Sequence, residues 1–475
     1  MKKTIFGQGI TLAEAMTTAG LSPDRPCGGR HLCGKCRVKV KGALSEPTER
    51  EKELLGDRIA YERLACEAIC LGEVTVEWEE NRQKETPSVM RDGRFGLALD
   101  LGTTTLVAAL YDLADRSLLS CLSRPNPQSA WGADVMSRLS YAMSGGKDDL
   151  TASIRKELAS LIGSLTERPI EKAVIVGNPT MLHFLCGLET ESLTHSPFTP
   201  ASYFHSMWDG EAVGLPNVGK IYIPGCVSGF VGADLSAALC ETDFSAGSFL
   251  VCDLGTNGEL AFFDGEKLTV SSTAAGPALE GAGIVCGMRA EVGAIDRVTW
   301  DGNKLLCHVI GETEARGLCG SGLISAVAAL LDAGILSENG YLAEPAMLSG
   351  EVRLFPEDVR ALQLAKGAIA AGIKRLVGEK IPARLYLAGA FGDALDAAAC
   401  RTIGLLPSWS EKEGALCPIG NAALSGAGKL LFSEEEKDRL QKRLSNAEAI
   451  ALDGDRQFNE LFFTSMALRA DGWEK

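Results

Sequence analysis

Changes in the period of apolar and polar positions divide this chain into segments. From Thr11 to Met16 the spacing is helical, with Thr11 as N-cap, Glu14 three residues on to complete a capping box, and Gly20 as the stop. Arg37 to Gly42, RVKVKG, alternates with a period of two and predicts a half-buried strand. A short helix is expected over Thr48 to Leu55 and a closing strand over Val74 to Trp78, VTVEW.

Asn81 to Arg94 is polar, charged and interrupted by Pro87, which is the composition of a linker. Directly after it, FGLALDLGTTTLVAALYDL (95–113) gives a continuous apolar strand, a glycine turn with three hydroxyls, and a second strand. A related phrase, FLVCDLGTNGELAFFD, returns at Phe249 with aspartate, glycine and threonine in the same order, so an internal duplication is inferred. AVIVGNPTMLHFLCG (173–187) and RLYLAGAFGDALD (384–396) each pass from a buried strand through a glycine turn into a helix. GLCGSGLISAVAALL (317–331) is a small-residue helix start. Strands alternating with helices predict a multi-domain α/β protein. Divisions are expected at 1–80, a linker at 81–93, and two further lobes at 94–245 and 246–475.

A length of 475 residues exceeds what one core serves, in keeping with several domains. Hydrophobic residues at 46% and charged residues at 23% exclude a disordered chain. The start, MKKTIFGQG, lacks an apolar h-region and no run approaches the length of a membrane span, so a cytoplasmic location without a membrane partner is expected. The net charge of −15 argues against nucleic acid or an anionic surface as partner. The acidic excess is uneven, since residues 1–80 carry twelve Lys and Arg against thirteen Asp and Glu. Arg25, Arg30, Lys35, Arg37, Lys39 and Lys41 crowd one stretch, which is either a basic docking face or a solvated surface.

That stretch is PCGGRHLCGKCR, residues 26–37. Cys27, Cys33 and Cys36 are spaced Cys-x5-Cys-x2-Cys, and Cys66 follows in RLAC, close to the plant-type ferredoxin arrangement for a 2Fe-2S cluster. Gly28, Gly29 and Gly34 let backbone N–H groups approach the cluster sulfurs. A structural zinc site would use two close cysteine pairs, whereas only Cys33 and Cys36 form one. Cys70 competes as fourth ligand, but the RLAC wording favours Cys66. The other eleven cysteines read as small buried hydrophobes. Helix, cluster loop and strands follow the order of a β-grasp ferredoxin. About nine residues precede Thr11, too few for the usual opening hairpin, so the sheet is expected to lack a strand or to borrow an edge.

Each Asp-Leu-Gly-Thr turn sets a carboxylate at a strand end and then bends so that N–H groups and hydroxyls converge, as a phosphate chain with Mg²⁺ requires. Asp100 and Asp253 are the candidates on the metal side. Gly102, Thr103, Thr104, Gly255, Thr256, Asn257 and Gly258 are those on the phosphate side, and Gly389 and Gly392 would let a nucleoside approach the backbone. A single such turn would read as a plain hairpin, and the second copy changes that reading. His31, His183 and His195 have no partner at ligand spacing and are expected in loops or at the surface. Glu280 and Glu259, acids in or beside the glycine turns, receive no firm role.

Taken together, DLGTTT, GADVMSRLSYA, VGNPTMLHFL, DLGTNGEL, AAGPALEGAGI, GLCGSGL and LAGAFG resemble the reductive activators of corrinoid proteins, from the ferredoxin loop to at least Gly428. In that family the nucleotide module is a duplicated, ribonuclease H-like fold of the acetate kinase, sugar kinase, heat-shock chaperone and actin superfamily. The resemblance implies ATP-dependent transfer of a low-potential electron from a 2Fe-2S cluster to the cob(II)alamin of a corrinoid protein, regenerating cob(I)alamin. ATP, Mg²⁺ and a low-potential reductant as donor follow from it. It assigns Cys27, Cys33, Cys36 and Cys66 to the cluster, Asp100 to Thr104 and Asp253 to Gly258 to phosphate, and Gly389 to Gly392 to adenosine. The chain departs from the longer members in its short linker, and in His31 where the loop usually has glycine. Two other readings stand beside this one. The first is an ATP-driven activator of another low-potential enzyme, such as a 2-hydroxyacyl-CoA dehydratase, though those activators hold a 4Fe-4S cluster between subunits. The second is a redox module that binds nucleotide without turnover. The oligomeric state stays open, a homodimer included.

Overall fold

The alternating stretch at Arg37 becomes one of four strands in an N-terminal sheet. These are β1 (Lys2–Thr11), β2 (Arg37–Leu44), β3 (Glu62–Leu64) and β4 (Ile69–Glu77), ordered β1-β4-β2-β3 and antiparallel at each pairing. Val38 and Val40 on β2 and Val74 and Val76 on β4 point to one side, where the first helix, α1 (Leu12–Thr18), buries Leu12, Ala15 and Met16 among them. The expected capping box closes it: Glu14 N donates to Thr11 Oγ1 at 3.2 Å and Thr11 N to Glu14 Oε2 at 2.8 Å. β1 is a single edge strand, in place of an opening hairpin. On β2, Lys39 lies opposite Glu77, which pairs with Lys2 at 2.6 Å, so this part of the basic stretch is offset by acids of its own sheet.

A buried ion pair fixes the stretch that leads to Cys66. Helix α2 (Glu49–Leu55) starts at Thr48 with a second capping box, and its Glu51 is fully buried. Glu51 accepts two bonds from Arg63, Nε at 2.9 Å and Nη2 at 2.8 Å, and a third from Leu64 N at 2.9 Å. Burial pushes the Glu51 carboxyl up, but Arg63 and the backbone N–H groups of Leu64 and Thr48 outweigh it and hold the group below the usual carboxylate range. Its stabilisation is therefore present above the unfolded-state pKa and is lost as pH falls through the lower folded value. Glu51→Ala strands a buried guanidinium. It is expected to cost about 3 kcal/mol or more in urea unfolding of this domain and to flatten the loss of stability in acid. A variant as stable and as acid-sensitive as the parent would refute that account.

The structure is a computed structural model describing residues 2–19, 21, 36–77, 93–255, 257–389 and 395–469. Its contacts fall into two units, Met1–Ala173 with Thr180–Ser202 and Trp208–Ile221, and Val174–Pro179 with Tyr203–Met207 and Tyr222–Lys475. Two six-stranded sheets follow the N-terminal one. The first holds β5 (Phe95–Leu101), β6 (Thr105–Asp112), β7 (Leu118–Pro125), β8 (Ile170–Gly177), β9 (Ser206–Asp209) and β10 (Val218–Ile223), in the order β7-β6-β5-β8-β10-β9. The second starts with β11 (Phe249–Leu254), β12 (Gly258–Phe263) and β13 (Leu268–Thr273). A small sheet of β14 (Ala294–Trp300), β15 (Leu305–Val309) and β16 (Gly317–Leu318) and a hairpin of β17 (Ala346–Ser349) and β18 (Val352–Leu354) come next. The second large sheet is completed by β19 (Arg384–Ala388), β20 (Leu416–Gly420) and β21 (Glu448–Ala449), in the order β20-β19-β11-β12-β13-β21.

Without its outermost strand, each large sheet runs third, second, first, fourth, fifth in its own strand count, so the duplication read from two phrases is a duplication of topology. β5 and β11 are central and almost wholly buried, with Asp100 and Asp253 the partly exposed positions one residue before each strand end. Buried on both faces, these strands are near-continuous apolar runs rather than alternating ones.

Helices α3 (Val135–Tyr141), α4 (Lys147–Leu165), α5 (Pro179–Cys186), α6 (Ala233–Ala238), α7 (Gly320–Asp332) and α8 (Pro356–Val377) include the predicted strand-turn-helix passage after β8 and the small-residue helix at Gly320. Leu323, Val327 and Leu330 of α7 join Leu250 and Leu254 of β11 in one core. His183 departs from expectation. It sits fully buried in α5, where Nε2 meets Ser202 N at 3.2 Å, because MLHFLC is apolar on every side and the imidazole follows its helix inward. Among the described residues no helix is long and apolar enough to cross a membrane.

Candidate functional site

Cys36 precedes β2 and Cys66 follows β3, and the antiparallel pairing of those strands brings the two thiols together. Ala65 N donates to Cys36 O at 2.7 Å and the two sulfurs lie 3.2 Å apart, both buried. The hydrogen bond with Cys66 draws the Cys36 thiol down to about 7 against the opposing effect of burial, which favours a thiolate. Cys70 is placed otherwise. It points from β4 toward Gly7 and Ala15 in the domain core, and burial pushes its thiol up. Cys27, Cys33, His31, Arg25, Arg30 and Lys35 lie outside the described residues.

The first Asp-Leu-Gly-Thr turn joins β5 to β6. Gly102 is required there, since a Cβ would lie 2.4 Å from Thr105 O. Three successive carbonyls of this turn are held from one side. Asn126 Nδ2 donates to Gly102 O at 2.8 Å, Arg138 Nη2 to Thr103 O at 2.6 Å, and Asn126 N to Thr104 O at 2.8 Å. In a trans peptide C=O and N–H point oppositely, so the N–H groups of Thr103 and Thr104 are directed away from those contacts. The glycine turn itself was expected from the sequence. Asn126 and Arg138, which shape it, were not singled out from sequence.

The second turn joins β11 to β12. Asp253 lies directly opposite Glu259 across that pairing, a like-charge arrangement that weakens a sheet. Asp234, in the first turn of α6, shares a hydrogen bond with Glu259 and raises the Asp253 pKa by its charge. Burial pushes both aspartates well above the usual carboxylate range, and the Asp234 charge pushes Asp253 further. Gly389, with φ at +100°, closes the group from β19: a Cβ there would stand 2.9 Å from Asp253 Oδ1 and 2.7 Å from Leu254 O. Glu280 also reaches this turn, with Oε1 3.8 Å from where a Gly255 Cβ would be. Gly258 has another cause, since a Cβ would strike Thr273 and Ile369. Thr256 and Gly392 lie outside the described residues.

Asp234 was not legible as a partner of Asp253. Its signal was an acid inside an otherwise small and apolar run, GFVGADLSAAL. Gly232, just before α6, packs against the VGNPT phrase, since a Cβ there would stand 2.5 Å from Asn178 Cα.

Profiles of known families match most of the chain: the RACo middle region over residues 95–246, and the C-terminal domain of RACo, the ASKHA domain, over 248–475. The chain belongs to the RACo family of reductive activators of corrinoid proteins. A corrinoid activation enzyme, RamQ, of Eubacterium limosum is 34% identical over 79% of this chain and 69% of its own length. A Co(II) methylated amine-specific corrinoid protein reductase of Methanosarcina barkeri is 30% identical over 76% and 73%. A Trichomonas vaginalis ferredoxin is 40% identical over 15% of this chain and 73% of its own. A solved reductive activator for corrinoid, iron-sulfur protein shares the fold, with a TM-score of 0.72 and 24% identity over 98% of this chain and 96% of that one.

In this RACo-family chain the donor sets differ in kind. The thiol pair is a soft donor set of the kind that holds the iron of a cluster. Asp253, Glu259 and Asp234 are hard oxygen donors, of the kind that a divalent cation or its waters would use. Among the described residues no three side chains are set to hold a metal directly, so a cation at Asp253 would draw its remaining ligands from water and phosphate oxygens.

Proposed function

We propose that the chain is an ATP-dependent reductive activator that restores the cob(I)alamin state of a corrinoid protein by passing it one low-potential electron. The reading rests on one observation above all: a chain with two copies of the Asp-Leu-Gly-Thr turn also carries the Cys36–Cys66 thiol pair on paired strands. Cys27, Cys33, Cys36 and Cys66 would hold a 2Fe-2S cluster, which when bound supplies a one-electron store near about −400 mV. The N–H groups of Thr103 and Thr104 would take phosphate, with Gly102 allowing the bend. Gly255, Thr256, Asn257 and Gly258 would do the same in the second turn. Asp100 and Asp253 would orient Mg²⁺ or its waters, while Gly389 and Gly392 would admit the nucleoside. Asp234 joins this set as a partner of Asp253. The names of the relatives support a corrinoid protein as acceptor.

The test is a cobalt spectrum. Anaerobic protein loaded with iron and sulfide, a low-potential reductant, Mg²⁺, ATP and a cob(II)alamin-bearing corrinoid protein should build cob(I)alamin absorbance. Failure with every corrinoid protein of the host would reject the assignment.

A further inference from the structure

Arg138 is fully buried in α3, and among the described residues its guanidinium makes no ion pair. Nε donates to Gly132 O at 2.9 Å, Nη1 to Gln128 Oε1 at 3.3 Å and Met181 Sδ at 3.2 Å, and Nη2 to Thr103 O at 2.6 Å. Every one of these acceptors is neutral. Asp134 reaches Arg138 only through its field, and its own oxygens are engaged by Ser137 N and Ser137 Oγ. Burial draws the guanidinium down to about 10, so the group stays charged at neutral pH.

Burying an ion is costly unless an opposite charge faces it. Holding a turn does not require that cost. Asn126 holds two carbonyls of the same turn with a neutral amide and its own backbone N–H. The positive charge therefore needs a reason beyond architecture, and the direction of the peptides supplies one. With its oxygen on the guanidinium, the Thr103–Thr104 peptide turns its N–H the other way, and a charge at the oxygen end polarises that N–H as a donor.

We infer that Arg138 is a positioning residue for the phosphate chain of the nucleotide. It fixes the Thr103 carbonyl and, through that peptide, strengthens the first turn as an anion site. The inference rests on the reading of this turn as an ATP site. Because the charge is buried, salt screens its effect far less than that of a surface lysine.

Binding of ATP, ADP and adenosine to the full chain, measured by calorimetry, separates charge from architecture. Arg138→Met is expected to weaken ATP by about tenfold or more, ADP by less and adenosine not at all, with the loss persisting at high salt. Asn126→Ala should weaken all three alike. Arg138→Lys keeps the charge and should keep the preference for ATP over adenosine, which makes it the deciding variant if Arg138→Met fails to fold. Unaltered ATP affinity in Arg138→Met, or equal losses of ATP and adenosine in either variant, would overturn the inference and leave the ATP site standing. A parent chain that binds no ATP would instead reject both.

Discussion

Asp253→Asn is expected to lower ATP turnover by about two to three orders of magnitude while leaving iron and sulfide content unchanged. The substitution keeps the shape that Gly389 is fitted around, so what it removes is charge rather than packing. That charge belongs to a cluster with Asp234 and Glu259 in which like charges repel, since desolvation raises both aspartates and one pair faces across a strand pairing. Taking one charge away eases the others. The variant should therefore melt no lower than the parent in the absence of nucleotide, losing function while keeping or gaining stability. Phosphate release followed beside a thermal melt reads both. Undiminished turnover would remove Asp253 from the site, and a fall in turnover with a lower melting temperature would assign it to the fold instead.

The parts of this site that were legible in the sequence are those set by short spacing. Cys36 and Cys66 were read as partners from ferredoxin-like wording, and the paired strands put their sulfurs 3.2 Å apart. The two Asp-Leu-Gly-Thr turns were legible because each strand is apolar up to its aspartate, and the matching strand orders follow from the same duplication. Groups supplied by distant segments were not legible. Asp234 meets Glu259 only because α6 lies against the second sheet, and Glu51 meets Arg63 only once α2 packs on β3. Arg138 was hidden for another reason: a charged residue in a mixed helix is expected at the surface, and nothing local marks one that is fully buried. His183 failed in the opposite sense. Its apolar neighbours on both sides were the signal of burial, and ligand spacing was the wrong question to ask of it.

Removing either the thiol site or ATP should abolish cobalt reduction, and the two losses should differ in what survives. Cys36→Ser takes away one of two adjacent thiols, so bound iron and sulfide should fall to a small fraction of the parent's and cob(I)alamin formation should vanish. Its ATP turnover should remain, because the two Asp-Leu-Gly-Thr turns belong to other sheets. Cys70→Ser should keep its iron, since that thiol faces Gly7 and Ala15 in the core rather than Cys36. Retention of iron by Cys36→Ser together with its loss from Cys70→Ser would move the ligand set. Omitting ATP from the parent protein asks whether the two halves are coupled. An electron passed to an acceptor of lower potential is disfavoured tenfold for each ~59 mV, so without turnover it should stay with the donor and leave cob(II)alamin largely unreduced. ATP with cluster-free protein should do no better. Stopped-flow absorbance of the cobalt centre distinguishes these cases, and equal rates with and without ATP would sever the link, leaving an electron carrier whose nucleotide site serves some other end. Coupling also demands that the corrinoid partner distinguish nucleotide states, because a nucleotide that binds both states of the complex equally shifts nothing, however tightly it binds.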